Sequence, residues 1–263
     1  MPETAVRQGT TPAIVGTSPE EAMPVHDTPA QVAHLTAQLG ALPTGHPDQT
    51  FIRRYLGTPR QVLGVRAADL HKLARTTARA QASWPDAAWL ALLDALYAGT
   101  LFEQRSLAGS LLGVLHPLRR RLDLARLRGW LAQQAGWAEV DSTCQSIWTD
   151  KEVLARWDEW DAFLDALSVA EKISLRRASL VLLIPPLRHN ADPRLTQRAL
   201  VTLQRLQGER SPMISKAVSW LLRAMIAEQP ETVRRYLAEN AALLPSTVLR
   251  QVRTKLETGR KSG

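Results

Sequence analysis

The chain is poor in cysteine and has no long apolar run. Its single cysteine, Cys144, excludes an internal disulfide framework and a cysteine-rich zinc site, and it fits a reducing compartment. No apolar stretch approaches the roughly 20 residues that span a membrane. No basic segment followed by an apolar one marks a secretory signal at the N-terminus. We therefore expect a cytoplasmic protein that makes no membrane contact.

Several motifs of cofactor and hydrolase chemistry are also missing. The sequence contains no glycine-rich phosphate loop of the P-loop or dinucleotide type, and no G-x-S-x-G nucleophile elbow. These absences predict a protein that needs neither a metal nor a nucleotide cofactor. None of the histidines has metal-ligand spacing on a helix face; they are His26, His34, His46, His71, His116 and His189.

Acidic residues are concentrated at the start of the chain. The first 50 positions hold Arg7 and five acids, a net charge of −4, whereas the whole chain carries +8, so residues 51–263 carry +12. An excess of this size is typical of a protein that binds a polyanion. The 27 arginines against 6 lysines would favour bidentate phosphate contacts, although a GC-rich genome is the simpler explanation of that ratio.

Composition divides the chain into a tail and one helical domain. Residues 1–26 are rich in Thr, Pro, Ala, Gly and Glu without apolar periodicity, which predicts a disordered acidic tail. Residues 27–257 are predicted to form a single domain, and residues 258–263 a flexible end. Caps and prolines predict helix starts near Thr28, Asp48, Ala67, Pro85, Leu101, Asp123, Trp137, Asp150, Asp158, Glu171, Pro193, Pro212, Pro230 and Ser246.

The periodicity within the domain is that of amphipathic helices. Apolar residues recur at i, i+3, i+4 and i+7, for example from Trp89 to Tyr97, and no run alternates as a strand would. Helical pairs recur about every 35 to 45 residues, the spacing of HEAT-type repeats. The predicted fold class is therefore all-α, an α-solenoid whose stacked pairs form a curved superhelix with an extended concave surface.

Two segments need a separate interpretation. Residues 173–184 are apolar enough for a central helix, which we extend through Val181–Ile184 and expect Pro185-Pro186 to end. The run Arg119-Arg120-Arg121 after Pro117 is predicted to be a solvated loop edge, with a phosphate contact as the alternative.

Three motifs carry candidate chemistry. The segment Gly136–Ser142 reads G-W-A-E-V-D-S, residues 175–178 read L-R-R-A, and residues 219–223 read S-W-L-L-R. Trp137 and Asp141 are four apart, so on a helix they share a face, as Trp220 and Arg223 do at a spacing of three. Indole faces attract cations, a carboxylate stabilises positive charge and arginines hold phosphates. The combination suggests a site for a cationic base in nucleic acid.

Each of these residues also has an ordinary structural interpretation. Trp137 and Trp220 have the surroundings of core tryptophans, and Asp141 is compatible with a surface acid or a cap. However, Asp141 lies inside an apparent helix, where aspartate has low propensity. Arg176 and Arg177 fit a solvated face or an ion pair, and the apolar stripe after Ala178 favours a paired or functional Arg177.

The three motifs, in this order, resemble those of the DNA alkylation repair enzymes related to bacterial AlkD. The ending is similar too: Pro212–Trp220, then a helical pair with Val233–Leu237 and Asn240. The resemblance covers roughly residues 51–256. It implies a bacterial, monomeric, monofunctional DNA glycosylase with a basic concave face that embraces duplex DNA. It also implies removal of cationic alkylated purines, N7-methylguanine and N3-methyladenine, in base excision repair.

The resemblance also implies residue roles. Asp141 would be the catalytic carboxylate, with Trp137 and Trp220 against the lesion nucleotide. Arg177 and Arg223 would contact the DNA backbone, and Arg176 and Lys216 complete the expected DNA-binding set. Enzymes of this kind hold the lesion against the concave surface without a tight base pocket, whereas most glycosylases extrude the base. No lysine stands out as a Schiff-base nucleophile, so we expect no strand-cleaving step.

One segment departs from the family pattern, and two other functions remain open. The region after Arg53 and Arg54 reaches Gly57-Thr58-Pro59 at once and looks short, so a weaker grip on the DNA and a narrower lesion range are expected. The alternatives are a DNA-binding HEAT-like protein without catalysis and a protein-binding helical scaffold. Trp137 and Asp141 together favour the enzyme over the first, and the positive charge disfavours the second.

Overall fold

A computed structural model describes residues 27–45, 48–145 and 148–260. The tail predicted for residues 1–26 lies outside the described residues, as do residues 261–263 of the predicted flexible end. None of the helices in the described part is long and apolar enough to cross a membrane.

The described residues form sixteen helices and no β-strand. Their bounds are α1 Thr28–Ala41, α2 Gln49–Leu56, α3 Ala67–Ala80, α4 Asp86–Ala98, α5 Phe102–Val114, α6 His116–Arg121, α7 Leu124–Ala132, α8 Trp137–Cys144, α9 Asp150–Leu154, α10 Trp157–Ser168, α11 Ile173–Val181, α12 Ile184–Leu187, α13 Pro193–Leu206, α14 Pro212–Met225, α15 Pro230–Asn240 and α16 Ser246–Thr258.

The helices stack in two layers. In the first, which we call the inner layer, α3, α5, α8, α11, α14 and α16 each pack against the next. In the outer layer, α1, α4, α7, α10, α13 and α15 each pack on an inner helix. Leucines fill the space between the layers, among them Leu107, Leu127 and Leu203, each fully buried. The all-helical solenoid predicted from the sequence is confirmed.

The helix starts follow from local chemistry. The side chains of Asp48, Asp123, Asp192 and Ser211 each accept a hydrogen bond from a backbone N–H in the first turn of the following helix. Such bonds satisfy N–H groups that have no partner within the helix. The capping residues and prolines named above therefore placed most helix starts within one or two positions.

Two predictions about local structure are wrong. The helix that starts at Ile173 ends at Val181 rather than continuing to Ile184. Pro185 and Pro186 lie in the first turn of the separate helix α12. Backbone N–H groups in a first turn have no partner within the helix, so proline, which lacks this group, is tolerated there. The arginine run is helical, not a loop, and Arg119 is 2% exposed. Its guanidinium donates to the carbonyls of Leu112 and Gly113 and forms an ion pair with the carboxylate of Glu152.

Helix α5 is enclosed by three other helices. Every residue from Phe102 to Leu112 is buried, because α3, α4 and α8 all pack against this helix. A Cβ on Gly109 would lie 2.3 Å from the carbonyl oxygen of Ser142, so glycine permits the close approach of α5 to α8.

Gly109→Ala should therefore destabilise the protein. Overpacking of this kind costs about 1–3 kcal/mol. Gly129→Ala is the matched control: Gly129 lies in α7 with nothing within 4 Å of an added Cβ, so alanine should raise stability by about 0.5–1 kcal/mol. Urea unfolding of both variants measures the difference, and equal stabilities would contradict the assigned α5–α8 packing.

Candidate active site

Helix α8 carries two of the predicted site residues, and a glycine sets where it begins. Gly136 has φ +84° and precedes Trp137, the first residue of the helix. A Cβ on Gly136 would lie 2.1 Å from the carbonyl oxygen of Gly57. The backbone at the end of α2 therefore touches the start of α8, which brings the N-terminal segment to the site.

A buried glutamate strengthens this junction. Glu139 is fully buried and accepts hydrogen bonds from the Thr58 hydroxyl, the Arg60 Nε and the backbone N–H of Ala135. These bonds hold the linker between α2 and α3 against α8. Sequence reasoning missed Glu139 because it reads as an ordinary acid in the first turn of a helix, and two of its three partners, Thr58 and Arg60, are 81 and 79 residues away.

Trp137 stands in a row of three aromatic side chains. Its Nε1 donates to the Tyr55 carbonyl oxygen at 2.8 Å, and its ring meets the Tyr55 ring edge-on with centroids 5.6 Å apart. Tyr55 stacks with Phe51, and both are more than half exposed. With exposed Arg53 and Arg54, α2 therefore presents both aromatic and basic side chains next to the start of α8.

Asp141 and Arg177 form a buried ion pair. The Arg177 Nε and Nη2 lie 2.8 and 2.7 Å from the two carboxylate oxygens of Asp141. The side chains of Asp141 and Arg177 are 8% and 4% exposed. The Nη1 of Arg177 donates to the carbonyl oxygen of Met213. Three inner helices, α8, α11 and α14, are therefore joined at this one guanidinium.

Burial raises the pKa of the Asp141 carboxyl above its ordinary value, and the hydrogen bonds and positive charge of Arg177 oppose that rise. The pair therefore keeps a carboxylate in a place where an isolated one would take up a proton. The resemblance to the family predicts that Arg177 contacts the DNA backbone. The structure instead surrounds it with protein acceptors and makes it the partner of the predicted catalytic group.

The other predicted DNA-binding residues fall into two groups. Lys216 and Arg223 lie on one face of α14 together with Trp220, which was predicted to contact the lesion; the three follow one another at i, i+4 and i+7, Lys216 is exposed and the other two are half-buried. Arg223 donates to the Ser219 carbonyl in its own helix. Arg176 belongs elsewhere: it pairs with Glu209 and donates to two backbone carbonyls.

A cavity of about 710 Å³ adjoins the ion pair. Trp137 and Asp141 line this cavity. Trp220 is not one of the described residues that line it. Sequence reasoning placed no cavity here, because its lining comes from α2, α3, α5, α8 and the loops between them.

The sequence profile of the DNA alkylation repair enzyme family matches residues 41–256. The chain belongs to this family. No curated protein matches it in sequence.

Two solved structures of family members share the fold. A protein described as a predicted DNA alkylation repair enzyme from Enterococcus faecalis is 18% identical with a TM-score of 0.67, covering 82% of this chain and 98% of its own. AlkD2 from Streptococcus mutans is 17% identical with a TM-score of 0.58, covering 90% of this chain and 100% of its own. At these identities the likeness shows that the helical architecture is conserved in this family member.

Arg177→Met should destabilise the protein in a pH-dependent way. Without its partner, the buried carboxyl of Asp141 has a pKa raised further above that of the unfolded chain, about 3.9. Folded Asp141 then holds a proton that the unfolded chain has released, so stability falls as pH rises from about 4 to the folded pKa. We expect a loss of about 3–5 kcal/mol at pH 7.5 and a smaller loss at pH 4.5, measured by urea unfolding.

Arg121→Ala is the control for this measurement. It removes an exposed ion pair with Asp86, so its cost should be about 1 kcal/mol or less. A loss in Arg177→Met that is the same at both pH values would contradict the account of the buried pair.

Proposed function

We propose that this protein is a monofunctional alkylpurine DNA glycosylase, which hydrolyses the N-glycosidic bond of N7-methylguanine or N3-methyladenine in duplex DNA and so starts base excision repair. Membership of the DNA alkylation repair family supports the DNA substrate. The observation that carries the proposal is the buried Asp141 carboxylate, held by Arg177 in the wall of a cavity beside Trp137.

Cleavage of the glycosidic bond of such a lesion requires little from the protein besides this carboxylate. Alkylation at N7 or N3 makes the purine cationic, which weakens its bond to the sugar and makes the base a good leaving group. The bond breaks through a sugar with oxocarbenium character. A fixed carboxylate stabilises that positive charge and orients the attacking water, and fixed charges of this kind are often the largest catalytic contribution in a partly dehydrated site.

Arg177 has a positioning role in this mechanism. Two parallel N–H···O bonds fix the plane of the carboxylate and keep it ionised in buried surroundings. The indole of Trp137 lies on the same face of α8, one turn before Asp141, and its π face favours a neighbouring cation by about 0.5–2 kcal/mol. Tyr55, in contact with Trp137, extends this aromatic surface.

The face of α14 formed by Lys216, Trp220 and Arg223 is proposed as part of the DNA-binding surface. It belongs to the same inner layer as α8 and α11, and α11 packs between α8 and α14. Phosphates bound there would lie alongside the carboxylate rather than behind it. Arg177 and Arg176 are left out of this surface because all three nitrogens of each guanidinium are hydrogen-bonded within the protein, whereas, within the described part of the chain, Arg223 donates only through Nε.

One histidine has to be added to the sequence interpretation. His71 lines the same cavity from α3 and is exposed. We still propose a preference for cationic bases, since the Asp141 carboxylate does not protonate a leaving group. Release of hypoxanthine or uracil that is lost in His71→Gln would assign an acid to that side chain and broaden the substrate class.

Asp141→Asn should lower base release by about 10- to 1000-fold, the scale of losing one electrostatic stabiliser. DNA binding should be retained, because a negative charge is removed. The assay is single-turnover release of N7-methylguanine from a duplex with one lesion. Asp161→Asn controls for the loss of a carboxylate held by two nitrogens of one arginine, Arg198, on an outer-layer helix, and urea unfolding shows that the Asp141→Asn variant is folded under the assay conditions.

Unchanged release by the Asp141→Asn variant would rule out the catalytic assignment. Tight DNA binding by a wild-type protein that releases no base would instead support the non-catalytic DNA-binding function.

Lys216→Ala and Arg223→Ala should weaken binding to all duplex sequences alike, since phosphate contacts carry no sequence information. Each lost contact should reduce the slope of log affinity against log salt by about 0.9. Arg234→Ala, an equal change of charge on the outer helix α15, should leave the slope unchanged. Fluorescence anisotropy at several salt concentrations measures these slopes. Equal slopes in all three variants would contradict the assignment of the α14 face.

A further inference from the structure

Helix α2 carries exposed aromatic side chains of the site, yet its own packing holds it weakly. None of the residues in Gln49–Leu56 is buried, and so short a helix is marginal in water without tertiary support. Tyr55 nevertheless lies edge-on against the indole of Trp137, and its carbonyl oxygen accepts the indole N–H. The position of α2 therefore depends on the segment that follows it, residues 57–66, which we call the α2–α3 linker.

Two fully buried carboxylates hold this linker, one near each end. Glu139 of α8 accepts hydrogen bonds from Thr58 and Arg60 near the start of the linker. Glu103 of α5 accepts from three successive backbone N–H groups, those of residues 63–65, near its end. Hydrogen bonds to a charged group are roughly twice as strong as those between neutral groups. The two glutamates thus attach the linker firmly to both α5 and α8.

Between the two carboxylates, an apolar contact connects the linker to the site. Val62 packs with Phe102 of α5 and Ala138 of α8 in a small cluster apart from the main core, and two residues of α2 and the indole of Trp137 pack against it. Three buried residues are too small a core to hold α2 alone. A displaced linker would therefore release α2 and leave the Trp137 indole free to rotate.

We propose that Glu103 and Glu139 are positioning residues for base release: by holding the α2–α3 linker, they fix Tyr55 and the Trp137 indole beside the Asp141 carboxylate. The inference rests on the proposed glycosylase function. Both oxygens of each glutamate accept hydrogen bonds from the protein, so these groups act through other side chains and not on the substrate. A misplacement of about 1 Å can cost about 100-fold in rate, so loosening the linker should slow base release.

Glu103→Gln is the sharpest test because the new side chain has almost the same shape. All of the groups that bond to Glu103 are backbone N–H donors, so either orientation of the amide places its NH₂ group against one of them. Thr58→Val is a milder change at the other end of the linker, where it removes the hydroxyl that bonds to Glu139.

Glu152→Gln is the matched control. Like the two positioning residues, the Glu152 carboxylate is largely buried, and it accepts from an arginine, Arg119, and from the hydroxyl and backbone N–H of Thr149. It lies on α9 and is not one of the described residues that line the cavity. Its loss should lower stability without moving α2. Urea unfolding of each variant shows that it is folded under the assay conditions.

The first readout does not need catalysis. The chain has three tyrosines, of which Tyr97 and Tyr236 are buried and Tyr55 is exposed, so fluorotyrosine labelling gives few fluorine NMR signals and Tyr55→Phe assigns the one of interest. The nearby indole shifts the Tyr55 signal in wild-type protein. In Glu103→Gln this signal should move towards that of free fluorotyrosine while the other two stay in place. Glu152→Gln should leave all three unchanged.

The second readout is single-turnover release of N7-methylguanine at several enzyme concentrations. Glu103→Gln should lower the maximal rate constant about 10- to 100-fold, and Thr58→Val about 3- to 10-fold, the value of one hydrogen bond. The enzyme concentration that gives half the maximal rate should hardly change, because the proposed phosphate contacts of α14 are intact. A purely structural role would reduce the amount of active protein and leave the rate constant of the folded protein at the wild-type value, as expected for Glu152→Gln.

The outcomes separate the two proposals. If wild-type protein releases the base and Glu103→Gln releases it with the same rate constant, the inference is wrong and the glycosylase proposal stands. A Tyr55 signal that stays in its wild-type position in Glu103→Gln would also overturn the inference, even if the rate falls. If that signal moves but wild-type protein releases no base, the glycosylase proposal fails and the attachment of α2 by the two carboxylates stands. Should Glu103→Gln fail to fold, the same comparisons are decided with Thr58→Val.

Discussion

The ion pair between Asp141 and Arg177 is the interaction on which the rest of the site depends. It is buried, both carboxylate oxygens are engaged, and the third nitrogen of Arg177 reaches the backbone of α14. Removing either partner leaves the other charge buried alone, which is far more costly than losing an exposed pair. The same contact therefore joins three repeats and keeps a carboxylate charged inside the protein, so the stability of the inner layer and the chemistry of the site are coupled.

The repeat architecture explains why these groups meet. Asp141 and Arg177 are 36 residues apart, and Arg177 and Met213 are again 36 apart. Equivalent positions of successive repeats thus become neighbours in the inner layer. The next position in the other direction, Arg105 on α5, donates to the carbonyls of Gly99 and Gln133. Inner-layer arginines in this series serve as fixed donors within the protein.

Much of the fold was predictable from sequence because its signals are local. Capping residues such as Asp123 and Ser211, prolines at helix starts and the 3.6-residue apolar period act within one helix. The division of Ile173–Leu187 into two helices was not predictable, because the second helix, α12, packs against α9 and α14, which lie elsewhere in the chain. An ion pair was one of the interpretations of Arg177, but its partner was not identified: the spacing from Asp141 matches the repeat period, and only an aligned set of repeats would have turned that spacing into a contact. Neither Glu139 nor the cavity has a sequence signal, because Glu139 bonds to Thr58, 81 residues away, and the lining of the cavity comes from residues between Gly45 and Gln145.

The central claim is that Asp141 acts as a carboxylate kept ionised by Arg177, and the pH dependence of base release tests it most directly. The measurement is the single-turnover rate of N7-methylguanine release from 3.5 to 8, for wild-type protein and Arg177→Lys. Burial raises the pKa of Asp141, so we predict a rate that falls on the acid side, with an apparent pKa above the ordinary value of about 3.9. The weaker, single-point contact of lysine should move that limb to higher pH. A rate that does not change down to the pH of acid unfolding, or the same acid limb in both proteins, would contradict the account.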